Sequence, residues 1–332
     1  MDERVGHLLV SVANLYYLQH RTQAQIAERL RISRPHISRL LKRARQEGVV
    51  TISIRSPFEH APALSEELAG LFPLRDVVVV PSGEDTVSRV AEAAAAYLSS
   101  RLRRDAVLGV SWGRTVRLVV DSLTRESHRH IEVVPLVGGM GSVGDEIHAN
   151  EIARRAAMRV GGRYYVLNAP ALAETSRAQA TLVRDPAVRD ILGRARRAEV
   201  ALVGIGGIVP GSTLVKSGYL KSDDLRGLKA AGAVGDICSR YFCLDGSRCP
   251  SSLDTRVVGI ELQDLRRVPW TVAVAAGGEK AAAILGALRG GYINVLITDE
   301  ATARLVLRLA QGGAPRPRSV RPVTGPRAGL LA

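Results

Sequence analysis

Apolar residues recur at helical spacing through the first fifty positions, then gather beyond position 75 into short β-branched runs separated by helical stretches. Val5, Leu8, Leu9, Val12 and Tyr16 fall on one side of a helix over 5–19. A second helix begins at Thr22, where Gln25 completes a capping box, and it turns Ile26, Ala27 and Leu30 inward. In a third, Ile37, Leu40, Leu41 and Ala44 repeat at i, i+3, i+4 and i+7, with Ser33 as N-cap, Pro35 tolerated in the first turn and Gly48 at its end. That stripe leaves Arg34, His36, Ser38, Arg39, Lys42 and Arg43 pointing outward. Residues 49–54 alternate with period two, as a wing or exit strand beside the third helix would.

Pro57 and Pro62 mark a hinge. The following helix carries Leu64, Leu68 and Leu71, a stripe suited either to a dimer contact or to packing on its own domain. Strands are expected at 76–80, 105–110, 131–137, 163–168, 200–205, 256–260, 271–276 and 293–297. Helices are expected at 85–103, 146–160, 186–197, 222–230, 278–289 and 299–310. Continuous β-branched runs alternating with helices imply a mostly parallel sheet covered on both faces. The fold class is therefore α/β: a winged helix-turn-helix domain over 1–56, a linker helix over 57–73 and a larger parallel-sheet domain over 74–311. The Gly-, Pro- and Arg-rich tail over 312–332 is expected to be disordered.

Charge sharpens the reading of the first helices. The chain carries +14 overall, and residues 1–56 hold ten Lys/Arg against four Asp/Glu, which suits a polyanionic partner. No apolar run approaches the roughly 20 residues that span a bilayer, and the N-terminus makes a poor signal peptide, so a cytoplasmic protein is expected. Cys238, Cys243 and Cys249 do not suggest a disulfide framework; they read as buried thiols, with metal binding the minor alternative because no companion His lies nearby. Neither a metal nor a cofactor is expected.

In open α/β sheets ligands bind beyond the carboxyl ends of the strands. Four loops there are unusual. Ser111 to Thr115 (SWGRT) offers backbone N–H groups, two hydroxyls and a cation at a helix start, which suits a phosphate. Gly138 to Gly141 (GGMG) allows close backbone approach, with His148 and Asn150 following. Residues 232–240 (GAVGDICSR) bring Asp236 and Arg240, and GGEK sets Glu279 and Lys280 at another helix start. Together they fit an anionic ligand with hydroxyls: Arg114, Lys280 and backbone amides for charge, Asp236 and Asn150 for hydroxyls. No P-loop occurs, residues 204–207 (GIGG) lack the full dinucleotide spacing, and no G-x-S-x-G elbow or metalloprotease motif is present.

SRPHISRLLKRARQEGVV, LGVSWGRTV, PLVGGMG, GAVGDICSRYF and AVAAGGEKAAAILGALRGGYINVLITDEATA together resemble the SorC family of bacterial transcriptional regulators, up to about residue 311. One departure is Arg31, at the turn position usually filled by glycine, which is costly if that residue needs a positive φ. The resemblance implies a winged-helix DNA-binding domain and a sugar-binding domain related to sugar-phosphate isomerases and CoA transferases. It implies a sugar or sugar-phosphate effector, operator DNA as partner and a homo-oligomer, dimer or tetramer. By motif, Ser111, Gly113, Arg114 and Thr115 would cradle the effector phosphate, and Gly138, Gly139, His148, Asn150, Asp236 and Lys280 would line the rest. Members that hold a second phosphate or react with a sugar aldehyde tend to place Arg or Lys just before the paired glycines. Here that position is Val137, which favours a monophosphate, an unphosphorylated sugar or a polyol.

On this reading the third helix enters the major groove with Arg34, His36, Ser38 and Arg39 near base edges. Thr22, Gln23, Lys42, Arg43 and Arg45 complete the DNA-facing set, the last three toward phosphates. The chain is expected not to be an enzyme. The alternative is a sugar-phosphate isomerase with a DNA-binding appendage, for which Asp236 and Lys280 would be the acid–base pair.

Overall fold

The computed structural model describes residues 3–19, 21–46, 49–50, 61–124, 130–140, 147–208 and 220–312. Gly48, the expected exit strand beyond Val50, Pro57, Gly141 and the tail from 313 lie outside those residues. The chain divides into two compact units, Met1–Pro57 and Phe58–Ala332.

The first unit is helical. Helix α1 (Glu3–Ala13) continues into a π-helical turn (Asn14–Leu18), so the single α-helix expected over 5–19 ends early. Helix α2 (Gln23–Leu30) begins with the expected capping box: the Gln25 N–H donates to Thr22 Oγ1 at 3.3 Å, and the Thr22 N–H donates to Gln25 Oε1 at 3.1 Å. Helix α3 spans Arg34–Gln46. Leu9, Val12, Leu15, Ile26, Ile37, Leu40, Leu41 and Ala44 form one small core, with Ala27 and Ile32 packed against it. Each buried aliphatic side chain adds about 1.5–3 kcal/mol, so this cluster is what holds three short helices together. Between α2 and α3, Arg31 adopts φ 56° and ψ 40°, the left-handed conformation in which a side chain is strained.

The second unit is built on a seven-stranded, wholly parallel sheet. Its strands are β1 (Asp76–Val80), β2 (Val107–Val110), β3 (Glu132–Pro135), β4 (Arg163–Tyr164), β5 (Val200–Gly204), β9 (Trp270–Val274) and β10 (Val295–Asp299), in the order β1-β10-β9-β5-β2-β3-β4. Helices α4 (Pro62–Leu71), α5 (Thr86–Arg101), α6 (Arg114–Asp121), α7 (Ala149–Val160), α8 (Ser176–Arg184), α9 (Pro186–Arg196), α10 (Ser222–Ala230), α11 (Leu262–Leu265), α12 (Ala281–Gly290) and α13 (Glu300–Gln311) connect and cover it. Two apolar clusters, one on each face, bury the alternate side chains of the strands; Val77 and Val79 enter one, Val78 and Val80 the other. Helix α4 buries Leu64 and Leu68 within its own unit, against the first of these clusters.

A second, three-stranded antiparallel sheet was not anticipated. It joins β6 (Gly206–Gly207), β7 (Ala233–Ile237) and β8 (Arg240–Cys243). The strand expected at 256–260 is absent. Asp254–Arg256 forms a 3-10 turn, and Val257 and Gly259 make only isolated bridges to Leu172 and Val137. That stretch is apolar because it is buried, but its carbonyls serve Arg240. The guanidinium of Arg240, 2% exposed, donates to the carbonyls of Asp254, Val257 and Ile260 and to the carboxylates of Asp254 and Glu261. Arg248 closes the cluster on the other Asp254 oxygen. A charge this deep is tolerated only when it is paired and hydrogen-bonded.

Candidate functional site

In the helical unit the apolar stripe of α3 faces the core, so its polar side chains face out. Arg34, His36, Ser38, Arg39, Lys42 and Arg43 are all exposed. Thr22 is exposed, with its hydroxyl committed to capping α2, and Gln23 stands partly exposed at the first helical position. Arg45 has its backbone in α3, and its side chain lies outside the described set.

In the larger unit, chain order reverses between β2, which leads to β3 and β4 on one side, and β5, which leads to β9 and β10 on the other. Such reversal points open a crevice at the carboxyl ends of the strands. A cavity of 320 Å³ lies there, a size that suits a small sugar-like ligand. Ser111, Gly113, Arg114 and Thr115 line it from β2 and α6, and Asp236 and Lys280 from the opposite side.

The β2 side is a helix N-terminus. Gly113 precedes α6 with φ 129°, a backbone that other residues adopt only under strain, and among the described residues no side chain caps the helix. The first-turn N–H groups of α6 are therefore donors of the kind that receive a phosphate, with the exposed Arg114 guanidinium beside them. Ser111 is a brace instead. Its buried hydroxyl accepts the Gly204 N–H at 3.1 Å and donates to the Trp112 carbonyl at 3.2 Å, locking β5 to the loop.

Asp236 stands on β7 opposite Gly206. Its Oδ2 accepts the Ser239 N–H at 3.1 Å, while Oδ1 is buried with no partner among the described residues. Burial raises this carboxyl to about pKa 6, against the opposing pull of Lys280 and of the Ser239 N–H. The two residues after Ile237, Cys238 and Ser239, both take positive φ, 53° and 63°, making a tight two-residue hairpin without the usual Asn-Gly. Cys238 reaches the cavity, but burial and the neighbouring Asp236 raise its thiol far above the range of a reactive cysteine.

Lys280 ends the turn Gly278–Lys280 that leads into α12. That turn is held from behind by Asp299, whose Oδ2 accepts the Gly277 N–H at 3.0 Å. Burial pushes the Asp299 carboxyl up, but hydrogen bonds from Thr302, Gly277 and Ser82 outweigh it and hold the group below the usual carboxylate range.

Four of the expected residues stand elsewhere. Gly138 packs on the backbone of Ala169 and Pro170, where a side chain would overlap them, and Gly139 lies next to His148. His148 is the residue preceding α7. Asn150 spends its carboxamide on the backbone of Leu167, accepting at 2.9 Å and donating at 3.2 Å. Conversely, Trp112, Gly204, Gly206, Gly207, Cys238 and Glu279 line the cavity and were not among the expected site residues. The signal for the glycines was GIGG itself. An incomplete dinucleotide motif, it lets the Asp236 carboxylate lie against Gly206, with Gly207 beside the Lys280 side chain.

Cys243 and Cys249 are free thiols directed at the Ala231 carbonyl, 3.4 and 3.8 Å away. Among the described residues, no cluster of three His, Cys, Asp or Glu could hold a metal, and no helix is long and apolar enough to cross a membrane.

Residues 56–308 match the family model described as "Putative sugar-binding domain", and residues 12–47 match "Sigma-70, region 4". The sorbitol operon regulator of Klebsiella pneumoniae is 34% identical over 91% of this chain and 98% of its own length. The deoxyribonucleoside regulator of Bacillus subtilis is 33% identical over 92% and 99%. The crystal structure of full-length SorC from Klebsiella pneumoniae superposes with a TM-score of 0.70, covering 92% of this chain and all of that one.

Proposed function

Because the chain belongs to the SorC family of transcriptional regulators, we propose that it binds operator DNA through α3, under the control of a sugar or sugar phosphate held between β2, β5 and β9. One observation carries the effector half of this reading: a buried carboxylate oxygen of Asp236 and the helix N-terminus at Gly113, both unpartnered among the described residues, border the same cavity. The first asks for a hydroxyl donor and the second for an anion, and a sugar monophosphate offers both.

In this reading Arg34, His36, Ser38 and Arg39 meet base edges, while Thr22, Gln23, Lys42 and Arg43 meet phosphates. Gly113, Arg114 and Thr115 receive the effector phosphate on a loop that Ser111 braces. Asp236 takes a hydroxyl and Lys280 supplies charge, while Gly138, Gly139, His148 and Asn150 lie off the cavity lining and make no direct contact with the effector. Val137 is fully buried and apolar, which fits a single phosphate or none. The names of the two relatives point to polyols and deoxyribose derivatives as compounds to try first. The protein acts in the cytoplasm as a homodimer or tetramer on a two-fold or repeated operator, without catalysing a reaction; residues 1–56 address DNA, 57–73 link and 74–311 sense. The effector switches binding only to the extent that it favours one DNA-binding state over the other.

Thermal-shift screening of sugar monophosphates, polyols and free sugars tests this. A ligand at about a hundred times its Kd stabilises the native state by roughly 2.7 kcal/mol, a shift of several degrees. Lys280→Ala should lose that shift and the effector's influence on operator binding while retaining the DNA affinity itself. An unaltered response in Lys280→Ala removes Lys280 from the site, and turnover of a sugar phosphate would replace this reading with the enzyme.

A further inference from the structure

The end of α1 departs from α-helical geometry where Leu15 enters the small core and Tyr16 and Tyr17 pack against it. Over Asn14–Leu18 the helix widens into a π-turn, closed by the Gln19 N–H on the Asn14 carbonyl at 3.1 Å. The Arg21 N–H then reaches back to the Leu15 carbonyl at 3.0 Å. Such widened turns recur at functional positions. Here the turn sets the consecutive rings of Tyr16 and Tyr17 edge to face, with centroids 5.0 Å apart, both partly buried against the small core.

Beside these rings lies an open cleft of 860 Å³, bordered by Tyr16, Tyr17, Arg21, Thr22, Gln23 and Arg34. Its chemistry is one-sided. Among the described residues no acidic side chain lines it, and Arg21 and Arg34 are both exposed. Phenol hydroxyls, a carboxamide and two guanidinium forks are the groups that commonly meet the oxygens of a nucleic-acid backbone. Arg34 is the first residue of α3, so the cleft adjoins the helix proposed to read bases.

We infer that this cleft seats a backbone phosphate of duplex DNA, held by Tyr17 of the π-turn and by Arg21 just beyond it. The inference rests on the reading of α3 as the DNA-contacting helix and extends that contact to a segment outside the helix-turn-helix. Tyr17 and Arg21 then set how deep and at what angle α3 enters the groove, without reading sequence. Phosphate contacts of this type fix register and leave base preference to the groove-facing side chains.

The test uses the full chain, a fluorescently labelled mixed-sequence duplex and a salt series read by anisotropy. Arg21→Gln should lower the slope of log affinity against log salt by about one, the signature of a single lost phosphate contact. Tyr17→Phe keeps the ring in the core and should weaken binding about three- to tenfold, at nearly unchanged slope, through one lost hydrogen bond. Lys42→Gln on α3 serves as the internal reference, and unfolding temperatures confirm that each variant is folded. Parental affinity and slope for both Arg21→Gln and Tyr17→Phe, with a loss for Lys42→Gln, would sink the cleft while leaving α3 on DNA. If Lys42→Gln also binds as the parent does, the reading of α3 falls and takes the cleft with it.

Discussion

The carboxylate of Asp236 lies against the bare Cα of Gly206, its partner across the short β6–β7 pairing, so closely that any side chain at 206 would overlap it. The glycine makes room for the acid. Gly206→Ala must turn the carboxylate away and break its bond to the Ser239 N–H. The overlap is expected to destabilise by about 1–3 kcal/mol, a fall in Tm of several degrees. Calorimetry of Gly206→Ala with and without effector should also show the ligand-induced rise gone. A full rise would place the ligand away from Asp236.

Asp236 also predicts a pH dependence of stability. Its native pKa of about 6 lies above the usual carboxylate value, so the folded state holds this proton more tightly than the unfolded one. The contribution is full below about pH 4 and lost as pH rises through 6, a difference on the order of 3 kcal/mol. Asp236→Asn cannot titrate there. Comparing urea midpoints of parent and variant from pH 4 to 7 isolates the group: the parent should lose stability relative to the variant over that window, and parallel curves would reject the assignment.

Arg240→Ala leaves Asp254 deep in the second unit with much of its compensating charge removed and strips donors from three buried carbonyls. A cost of about 3–5 kcal/mol is expected. Arg240→Met, which fills the space but cannot donate, should recover little of it. If methionine restores the parent's urea midpoint, then packing rather than the ionic cluster holds residues 254–261.

Arg31→Gly should stabilise the helical unit by about 1 kcal/mol, because glycine enters the left-handed region without the penalty a side chain brings. Amide exchange in α2 and α3 is the direct readout, slowing about fivefold if those helices exchange by opening of that unit. Faster exchange would mean that the Arg31 side chain contributes more than its backbone strain subtracts.

These residues also mark where the sequence was readable. α2 and α3 were legible because capping box, apolar period and outward cations are local signals that agree with one another. The parallel strands were legible because β-branched runs buried on both faces have few other uses. The strands within Ala233–Cys243 went unpredicted for a physical reason: their hairpin turn puts Cys238 and Ser239 where φ must be positive, and the first strand contains Gly235 and Asp236. Nothing local announces such a turn, since the surrounding packing holds it. The run at 256–260 misled in the opposite direction, apolar enough for a strand but with its carbonyls committed to the Arg240 side chain. Of the candidate site, Arg114, Thr115, Asp236 and Lys280 were visible as loop chemistry, and Asn150 was visible for the wrong reason. A polar side chain after a strand serves a neighbouring backbone as readily as a ligand.

Of the two oxygens of Asp236, one fastens the Cys238–Ser239 turn and the other stands beside the cavity with no partner among the described residues. On the proposed reading, a ligand hydroxyl donating to Oδ1 would share one carboxylate with the backbone of a turn held at two positive φ angles. Occupancy of the cavity would then reach main-chain geometry through a single side chain.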